Sequence, residues 1–139
     1  MARIRLLGLR VDVNKTEALW FGGPREKGPR RPHIILDGIR VDVKSQMKYL
    51  GLILDSRWGF QPHFEWLATK LGSAVSGLGR IMPNLGGPCE RVRRLYMRVV
   101  RSIAMYGAPI WCGPLVASSR NSDLLRREQR RMAIRIARA

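Results

Sequence analysis

The hydrophobic positions divide the chain into a first part with strand-like runs and a second part with helical spacing. Short apolar runs bounded by glycine, proline and polar residues predict strands over residues 16–21, 33–36, 39–43 and 48–54. Asp37 and Gly38 lie between two of these runs, and this dipeptide predicts a tight hairpin turn. Residues 1–8 have the pattern of the last turns of a helix, which Gly8 would end.

In the second part, apolar residues recur every three or four positions, which is the spacing of an amphipathic helix. One such stripe runs from Phe64 to Ile81, and a second runs from Val92 to Ile103. Tyr106 and the three residues after it would end the second helix, and Ser119 or Ser122 would cap a third. The apolar face expected for this third helix consists of Leu124, Leu125, Met132, Ala133 and Ile136.

These patterns predict an α+β chain with two parts. Residues 1–59 would form short antiparallel strands with at least one hairpin, and residues 60–139 would form a region of about three helices. With 45% hydrophobic residues, the chain of 139 residues has enough apolar side chains for a buried core. Its length suits one modest domain or a part of a larger protein.

Charge changes the picture more than any other property of the composition. The chain has 26 lysines and arginines against 10 acidic residues, a net charge of +16. Such an excess favours a polyanionic partner, and we expect nucleic acid, with an anionic membrane surface as the alternative. Neither a signal peptide nor an apolar run of membrane-spanning length is visible, so we expect an intracellular protein outside the membrane.

The arginines fall on the predicted helices in a pattern that suits contact with phosphates. The second helix carries Arg91, Arg93, Arg94, Arg98 and Arg101 opposite its apolar stripe. The third carries Arg126, Arg127, Arg130, Arg131 and Arg135. The planar guanidinium group pairs well with phosphate, and few acidic neighbours balance these charges. We therefore favour contact with a nucleic-acid backbone over the alternative, a solvated helix face.

No group of residues has the composition of a metal or catalytic site. Cys89, Cys112, His33 and His63 are isolated from one another, so neither a disulfide framework nor a zinc site is expected, and both cysteines are predicted to be buried thiols. No phosphate-binding glycine-rich loop and no Ser-His-Asp arrangement is recognisable. The four tryptophans are expected to pack in the core rather than to stack on bases.

Several segments together resemble the end of the polymerase domain in reverse transcriptases of non-LTR (LINE-type) retrotransposons, in the branch that also encodes an endonuclease. Gly8 to Glu17 resembles polymerase motif D, and Lys48-Tyr49-Leu50-Gly51 resembles motif E, the primer grip. The stretches Gly51 to Phe64 and Tyr106 to Trp111 are similar as well. The resemblance covers nearly the whole chain and implies that residues 1–59 are a palm remnant and residues 60–139 a thumb.

The resemblance also implies roles for particular residues. Lys15 matches the motif D lysine, a possible general acid toward the departing pyrophosphate, although it would act only in a complete enzyme. Lys48, Tyr49, Leu50 and Gly51 would position the primer end, and the arginines at 91, 94, 98, 101, 127, 130 and 131 would follow the duplex. The partners implied are an RNA template, a DNA primer and the remainder of the reverse transcriptase, in the nucleus.

The residues that would hold the metal ions of such an enzyme are missing from this sequence. The family's active site holds two Mg²⁺ ions on carboxylates, including an aromatic-Ala-Asp-Asp turn upstream of motif D, and no Asp-Asp pair occurs here. We therefore expect a fragment that needs no cofactor and does no chemistry alone. The alternatives are an independent basic structural protein that binds nucleic acid, and a subunit that other chains complete into an active enzyme.

Overall fold

The chain divides into two compact units that differ in secondary structure. The computed structural model describes residues 4, 6–22, 32–81 and 89–138, with the side chains of residues 136–138 left aside. The first unit spans Met1–Gly59 and contains the strands, and the second spans Phe60–Ala139 and contains the long helices. This α+β arrangement agrees with the predicted fold class. The assignment of the units to palm and thumb stays a prediction.

Ile4 and Leu6 are helical and precede Gly8, where the sequence predicted the end of a helix, and residues 1–3 and 5 of that prediction lie outside the described residues. Gly8 has φ +71°, and the amide of Leu9 donates to the carbonyl oxygen of Ile4 at 3.2 Å. A left-handed glycine followed by this hydrogen bond is a common helix C-terminus. A 3₁₀ turn over Val13–Lys15 follows, and the carboxylate of Asp12 accepts from the amide of Asn14 at 3.0 Å.

A three-stranded sheet forms the centre of the first unit, in the order β1-β3-β2. β1 (Ala18–Leu19) is parallel to β3 (Ile39–Lys44), and β2 (His33–Leu36) is antiparallel to β3. The prediction of a strand over residues 16–21 was too long, because only two of its residues pair. The predicted hairpin is confirmed: Asp37 and Gly38 have φ values of 49° and 77°, the left-handed pair that a tight two-residue turn needs.

A second sheet of two strands corrects the prediction of one strand over residues 48–54. β4 (Gln46–Tyr49) turns back into β5 (Leu52–Asp55), and Tyr49 pairs with Leu52. Leu50 and Gly51 form the turn with φ values of 45° and 82°. The sequence pattern did not predict this turn, because leucine rarely adopts a positive φ and is not a typical turn residue.

The second unit contains four helices within the described residues, one more than predicted. They are α1 (Gln61–Ile81), α2 (Glu90–Ala104), α3 (Ala108–Ala117) and α4 (Ser119–Arg138). α2 ends at Ala104, just before the predicted stop at Tyr106, but α3 starts already at Ala108, with Gly107 at φ +70° as its N-cap and a proline in its first turn. α4 begins at Ser119. Its first turn is capped by Ser118, whose Oγ accepts from the amide of Asn121 at 3.3 Å, rather than by the predicted Ser119 or Ser122.

The core of the second unit is built on one side of α1. This side buries a stripe that consists of His63, Phe64, Leu67, Leu71 and Val75. α2 contributes Tyr96 and Val100, and α3 contributes Trp111, which is 1% exposed and packs edge-on against Phe64. The indole N–H of Trp111 donates to the carbonyl oxygen of Tyr106 at 2.9 Å. The predicted stripe of α1 is thus the element around which the other helices assemble.

The carbonyl oxygen of Val75 joins three of the helices. Tyr96 Oη of α2 donates to it at 3.0 Å, and Arg135 Nη1 of α4 donates to it at 3.3 Å. Burial raises the pKa of the Tyr96 phenol, and the nearby Arg135 opposes this shift. The phenol therefore keeps its proton at neutral pH and remains a hydrogen-bond donor.

His63 makes the stability of the second unit depend on pH. Burial, and secondarily the positive charge of Lys70, lowers the pKa of His63 below its ordinary value of 6.5. The unfolded chain therefore binds a proton more readily, so this contribution to stability is full above pH 6.5 and is lost as the pH falls below that value. We expect urea unfolding, followed by helical circular dichroism, to show a smaller free energy of unfolding at mildly acidic pH.

The substitution His63→Gln should flatten this pH dependence, because the group that titrates is gone. His33 is exposed on β2, so His33→Gln serves as the matched control and should leave the dependence unchanged. Equal slopes for the wild type and the His63 variant would show that the dependence comes from other groups.

Candidate nucleic-acid interface

One side of α2 presents a row of arginines to solvent. Arg91, Arg94, Arg98 and Arg101 are all exposed and lie opposite the buried Tyr96 and Val100. At a rise of 1.5 Å per residue, the row extends about 15 Å along the helix. Glu90 pairs with Arg94 at 2.5 Å, whereas the other three make no ion pair with any described residue. Arg91, Arg94, Arg98 and Arg101 thus lie on the surface, and their contact with phosphates stays a prediction.

Arg93 is an exception to the predicted arginine face. Its side chain lies toward the packed side of α2, and its Nε atom is buried without a hydrogen-bond partner among the described residues. Helical spacing explains the difference, since residue 93 lies only three positions before the buried Tyr96. Arg93 thus belongs to the packing of the helix rather than to its exposed row.

The arginines of α4 divide into exposed and engaged groups. Arg127 and Arg130 are exposed and make no ion pair within the described part of the chain. Arg126 lies 3.7 Å from Asp123, and Arg131 Nη1 lies 2.8 Å from Glu128 Oε1. Of the three arginines predicted here as phosphate contacts, Arg127 and Arg130 are therefore open to a ligand, whereas Arg131 is held by a carboxylate.

The face of α4 that packs on α1 is polar, which the sequence patterns did not predict. Asn121 and Glu128 are its buried residues, at 2% and 7% exposure. Leu124, Leu125 and Met132 are only partly buried, Ala133 is exposed, and the side chain of Ile136 lies outside the described residues. The signal for this face was present as a seven-residue spacing of Asn121, Glu128 and Arg135.

Gly79 of α1 makes room for Arg135, whereas Gly72 lies at ordinary contact distance from Glu128. A Cβ atom on Gly72 would lie 3.5 Å from Glu128 Oε2, and one on Gly79 would lie 3.2 Å from Arg135 Nη1. At the start of both helices, Arg120 Nη2 and Glu65 Oε1 are 3.1 Å apart. Contacts that advance in the same direction along both helices show that α1 and α4 run parallel.

A groove of about 560 Å³ lies between these helices and differs in character from the arginine rows. Its walls include the carboxylates of Glu65 and Glu128. The hydroxyls of Thr69 and Ser73 donate to carbonyl oxygens of α1 one turn earlier, both at 3.1 Å. Because its walls present carboxylates, the groove does not suit a phosphate.

Lys15 is placed on the surface of the first unit. Its side chain is 85% exposed, and its Nζ atom lies 3.6 Å from the carboxylate of Asp12. Thr16 Oγ1 donates to the Asp12 carbonyl oxygen at 2.8 Å, and Glu17 pairs with Lys44 of β3. Thr16 and Glu17 thus have structural partners. The geometry leaves the amine of Lys15 accessible, and its predicted role as a general acid stays a prediction.

The primer-grip motif lies at the end of a hairpin rather than inside a strand. Lys48 and Tyr49 end β4, and Leu50 and Gly51 form the turn. Tyr49 is 56% exposed and Leu50 is 73% exposed. Lys15 and this motif belong to the first unit, whereas the arginine rows belong to the second.

The described residues contain no cluster of three or more His, Cys, Asp or Glu side chains that would hold a metal ion. Cys89 and Cys112 are free but exposed, so the prediction of buried thiols was wrong. No single helix of the described chain is long and apolar enough to span a membrane. Only α2 and α3 taken together, across an 80° bend, have the length and composition.

The chain has an α+β fold with exposed arginines on α2 and α4, and its sequence is similar to two retrotransposon proteins. The chain is 36% identical over 121 residues to the "Retrovirus-related Pol polyprotein from type-1 retrotransposable element R1" of Bradysia coprophila. It is 33% identical over 104 residues to the "Probable RNA-directed DNA polymerase from transposon BS" of Drosophila melanogaster.

These matches cover 86% and 74% of this chain, but only 12% and 11% of the two relatives. No family profile and no solved structure matches the chain. The sequence belongs to the non-LTR retrotransposon polyproteins, and it corresponds to one segment of them. The resemblance seen in its motifs is thereby confirmed.

The free energy of unfolding tests which arginines hold the fold together and which only lie on the surface. Arg135→Met removes the hydrogen bond to the Val75 carbonyl oxygen, and we expect a loss of about 1 kcal/mol in the free energy of unfolding. Arg127→Met removes the same charge from an exposed position and should change it by less than about 0.5 kcal/mol. Urea denaturation measures both, and equal losses would contradict the assignment.

Proposed function

We propose that this segment holds the paired RNA template and DNA primer in the reverse transcriptase of a non-LTR retrotransposon. The observation that supports this function is a set of exposed arginines that make no ion pair with any described residue: Arg91, Arg98 and Arg101 on α2, and Arg127 and Arg130 on α4. Each phosphate contact releases condensed counterions, so several such arginines give substantial affinity without reading the base sequence. The second unit would then serve as the thumb.

The hairpin tip at Lys48–Gly51 would contact the primer strand in the same complex. Its exposed turn allows backbone amides to approach a sugar-phosphate chain, and Gly51 has no side chain to obstruct that approach. Lys48 would add a positive charge at the end of β4. The support for this role is the resemblance of Lys48–Gly51 to motif E together with the exposed position of the turn. In this proposal the first unit is the remnant of the palm.

Catalysis would reside in other parts of the polyprotein. The family's two Mg²⁺ ions need clustered carboxylates, and the described residues of this chain contain no such cluster, so they do not fit these ions. In a complete enzyme, the exposed amine of Lys15 is a candidate for protonating the leaving pyrophosphate. The remainder of the reverse transcriptase would be the protein partner, and the nucleus would be the site of action.

An independent basic structural protein is the second candidate, and only the net charge of +16 favours it. A ribosomal or chromatin-associated domain would bind nucleic acid through the same charges. It would not explain why the chain is 36% and 33% identical to two retrotransposon proteins over 86% and 74% of its length.

A salt titration of binding tests the proposed function. In filter binding with an RNA–DNA hybrid, we expect affinity to fall steeply as salt rises. The double substitution Arg98→Gln and Arg101→Gln should lower the slope of log K against log salt by about two, since about one counterion is released per phosphate contact.

The matched control removes two positive charges that are already paired. Arg40 lies 2.8 Å from Asp42, and Lys44 pairs with Glu17. The variant Arg40→Gln with Lys44→Gln should leave the salt slope nearly unchanged. No binding of the wild type at low salt, or equal slopes for the two double variants, would contradict the proposal.

A primer-extension assay addresses the chemistry. The 139-residue chain, supplied with Mg²⁺, a primed RNA template and deoxynucleotides, should incorporate no nucleotide. Incorporation above that of a chain carrying Lys15→Ala would show that the segment is itself catalytic. It would then have to form a metal site that its described residues do not contain.

A further inference from the structure

The groove between α1 and α4 offers hydrogen-bond acceptors that the proposed duplex grip does not use. Its polar walls include the carboxylates of Glu65 and Glu128 and the hydroxyls of Thr69 and Ser73. Each of these hydroxyls donates its proton to a carbonyl oxygen of α1, at 3.1 Å. A hydroxyl has one proton and two lone pairs, so these oxygens can still accept but have no proton left to donate. The groove therefore suits a ligand that donates hydrogen bonds.

Glu128 has a carboxylate oxygen whose hydrogen-bonding capacity the described residues leave unused. The residue is only 7% exposed, and its Oε1 atom accepts from Arg131 Nη1 at 2.8 Å. Its Oε2 atom is buried and has no hydrogen-bond partner among the described residues. A Cβ atom added to Gly72 would lie 3.5 Å from this oxygen, and Gly72 also lines the groove. Because a buried acceptor without a donor lowers stability, a ligand that reaches Oε2 with a donor gains free energy.

The two carboxylates determine the sign of the charge that the groove favours. Glu65 Oε1 lies 3.1 Å from Arg120 Nη2, and Glu128 Oε1 is paired with Arg131. A carboxylate has about four lone-pair sites, so one arginine leaves acceptor capacity on each of them. A donor that carries a positive charge bonds to a carboxylate more strongly than a neutral donor does. The favoured ligand is therefore a cation.

The arrangement of the acceptors favours an ammonium group over a guanidinium group. A guanidinium pairs best when its planar fork meets both oxygens of a carboxylate, and Arg131 already holds one oxygen of Glu128. An ammonium group is compact and has three donors, so it needs only one carboxylate oxygen and the neighbouring hydroxyls. Ala68 and Leu124 line the same groove, whose volume is about 560 Å³, and can contact the methylene groups of an alkyl chain.

We propose that the groove binds an alkylammonium group, with Glu128 Oε2 as the principal acceptor and the hydroxyl oxygens of Thr69 and Ser73 as further ones. The terminal torsion of a glutamate is broad, so a small rotation turns Oε2 away from Gly72 and toward the ligand. A free polyamine and a lysine side chain of another protein segment both carry this group. Bound in the groove, the group would contact α1 and α4 together and stabilise their packing.

Titration of the full ¹⁵N-labelled chain in the absence of nucleic acid tests this proposal. The probes are spermidine and acetyl-lysine methylamide, and the backbone amide signals are followed by nuclear magnetic resonance. We expect saturable changes that concentrate at the groove residues of α1 and α4. Glu128→Gln keeps the size of the side chain but removes its charge, and it should weaken binding about tenfold.

Two glycines of α1 provide a matched pair of variants. Gly72→Ala and Gly77→Ala both replace glycine by a better helix former, so both should raise the temperature of unfolding slightly. At residue 72 the new methyl group would lie 3.5 Å from Glu128 Oε2, an ordinary contact distance, and would cover that oxygen. At residue 77 it would meet nothing within 4 Å. We expect severalfold weaker binding for Gly72→Ala and unchanged binding for Gly77→Ala, and unfolding would not explain a loss of binding in a more stable protein.

The two probes distinguish the sources of the ammonium group, and either result below supports the site. Similar affinities for spermidine and acetyl-lysine methylamide would assign the groove to a lysine side chain, since one ammonium group then suffices. Much tighter binding of spermidine would assign it to a polyamine. A lysine probe that is also acetylated on its side-chain nitrogen has no positive charge and should not bind.

Four outcomes would overturn the proposal. The first is the absence of saturable changes at the groove residues with either probe, and the second is an unchanged affinity of Glu128→Gln. The third is an equal loss of binding for Gly72→Ala and Gly77→Ala. The fourth is the same pattern of changes with magnesium chloride at equal ionic strength, which would show a general response to cations. Since no nucleic acid is present, none of these outcomes bears on the duplex proposal.

Discussion

The carbonyl oxygen of Val75 is the point on which the arrangement of the helical unit depends. Tyr96 and Arg135 both donate to it, so it fixes α2 and α4 at the same turn of α1. Gly79, one turn further along, leaves the space that the Arg135 guanidinium occupies. Around this point the apolar stripe of α1 is buried, and burial of such side chains supplies the main driving force for folding. The positions of the outer arginines follow from this packing.

A chain with so many arginines must use some of them in its own structure, and the helix geometry decides which. Arg135 is held by the Val75 carbonyl oxygen, Arg131 by the buried Glu128, and Arg93 by its position on the packed side of α2. Arg98 and Arg127 are examples of the arginines that are exposed and take no part in this packing. The open arginines make no ion pair with any described residue, which leaves them accessible to phosphates.

The sequence predicted those features whose physical cause is local. Asp37-Gly38 demands a tight turn wherever it lies between apolar runs, and the spacing of the α1 stripe demands a helix. The turn at Leu50 and the helix that follows Gly107 were missed, because leucine is not a turn signal and a proline in a first helical turn looks like a helix breaker. The burial of Glu128 was missed, because it results from packing against Gly72 of α1. Membership in the retrotransposon family came from motifs, which no periodicity would have revealed.

The central claim is that phosphates contact the outer arginines of α2 and α4, and nuclear magnetic resonance tests it residue by residue. The ¹⁵N-labelled chain would be titrated with an RNA–DNA hybrid at low salt while the arginine Nε–Hε signals are followed. We expect the largest changes at Arg91, Arg98, Arg101, Arg127 and Arg130, and small changes at Arg135. Perturbation of Arg135 without the others, or no perturbation at all, would contradict the account.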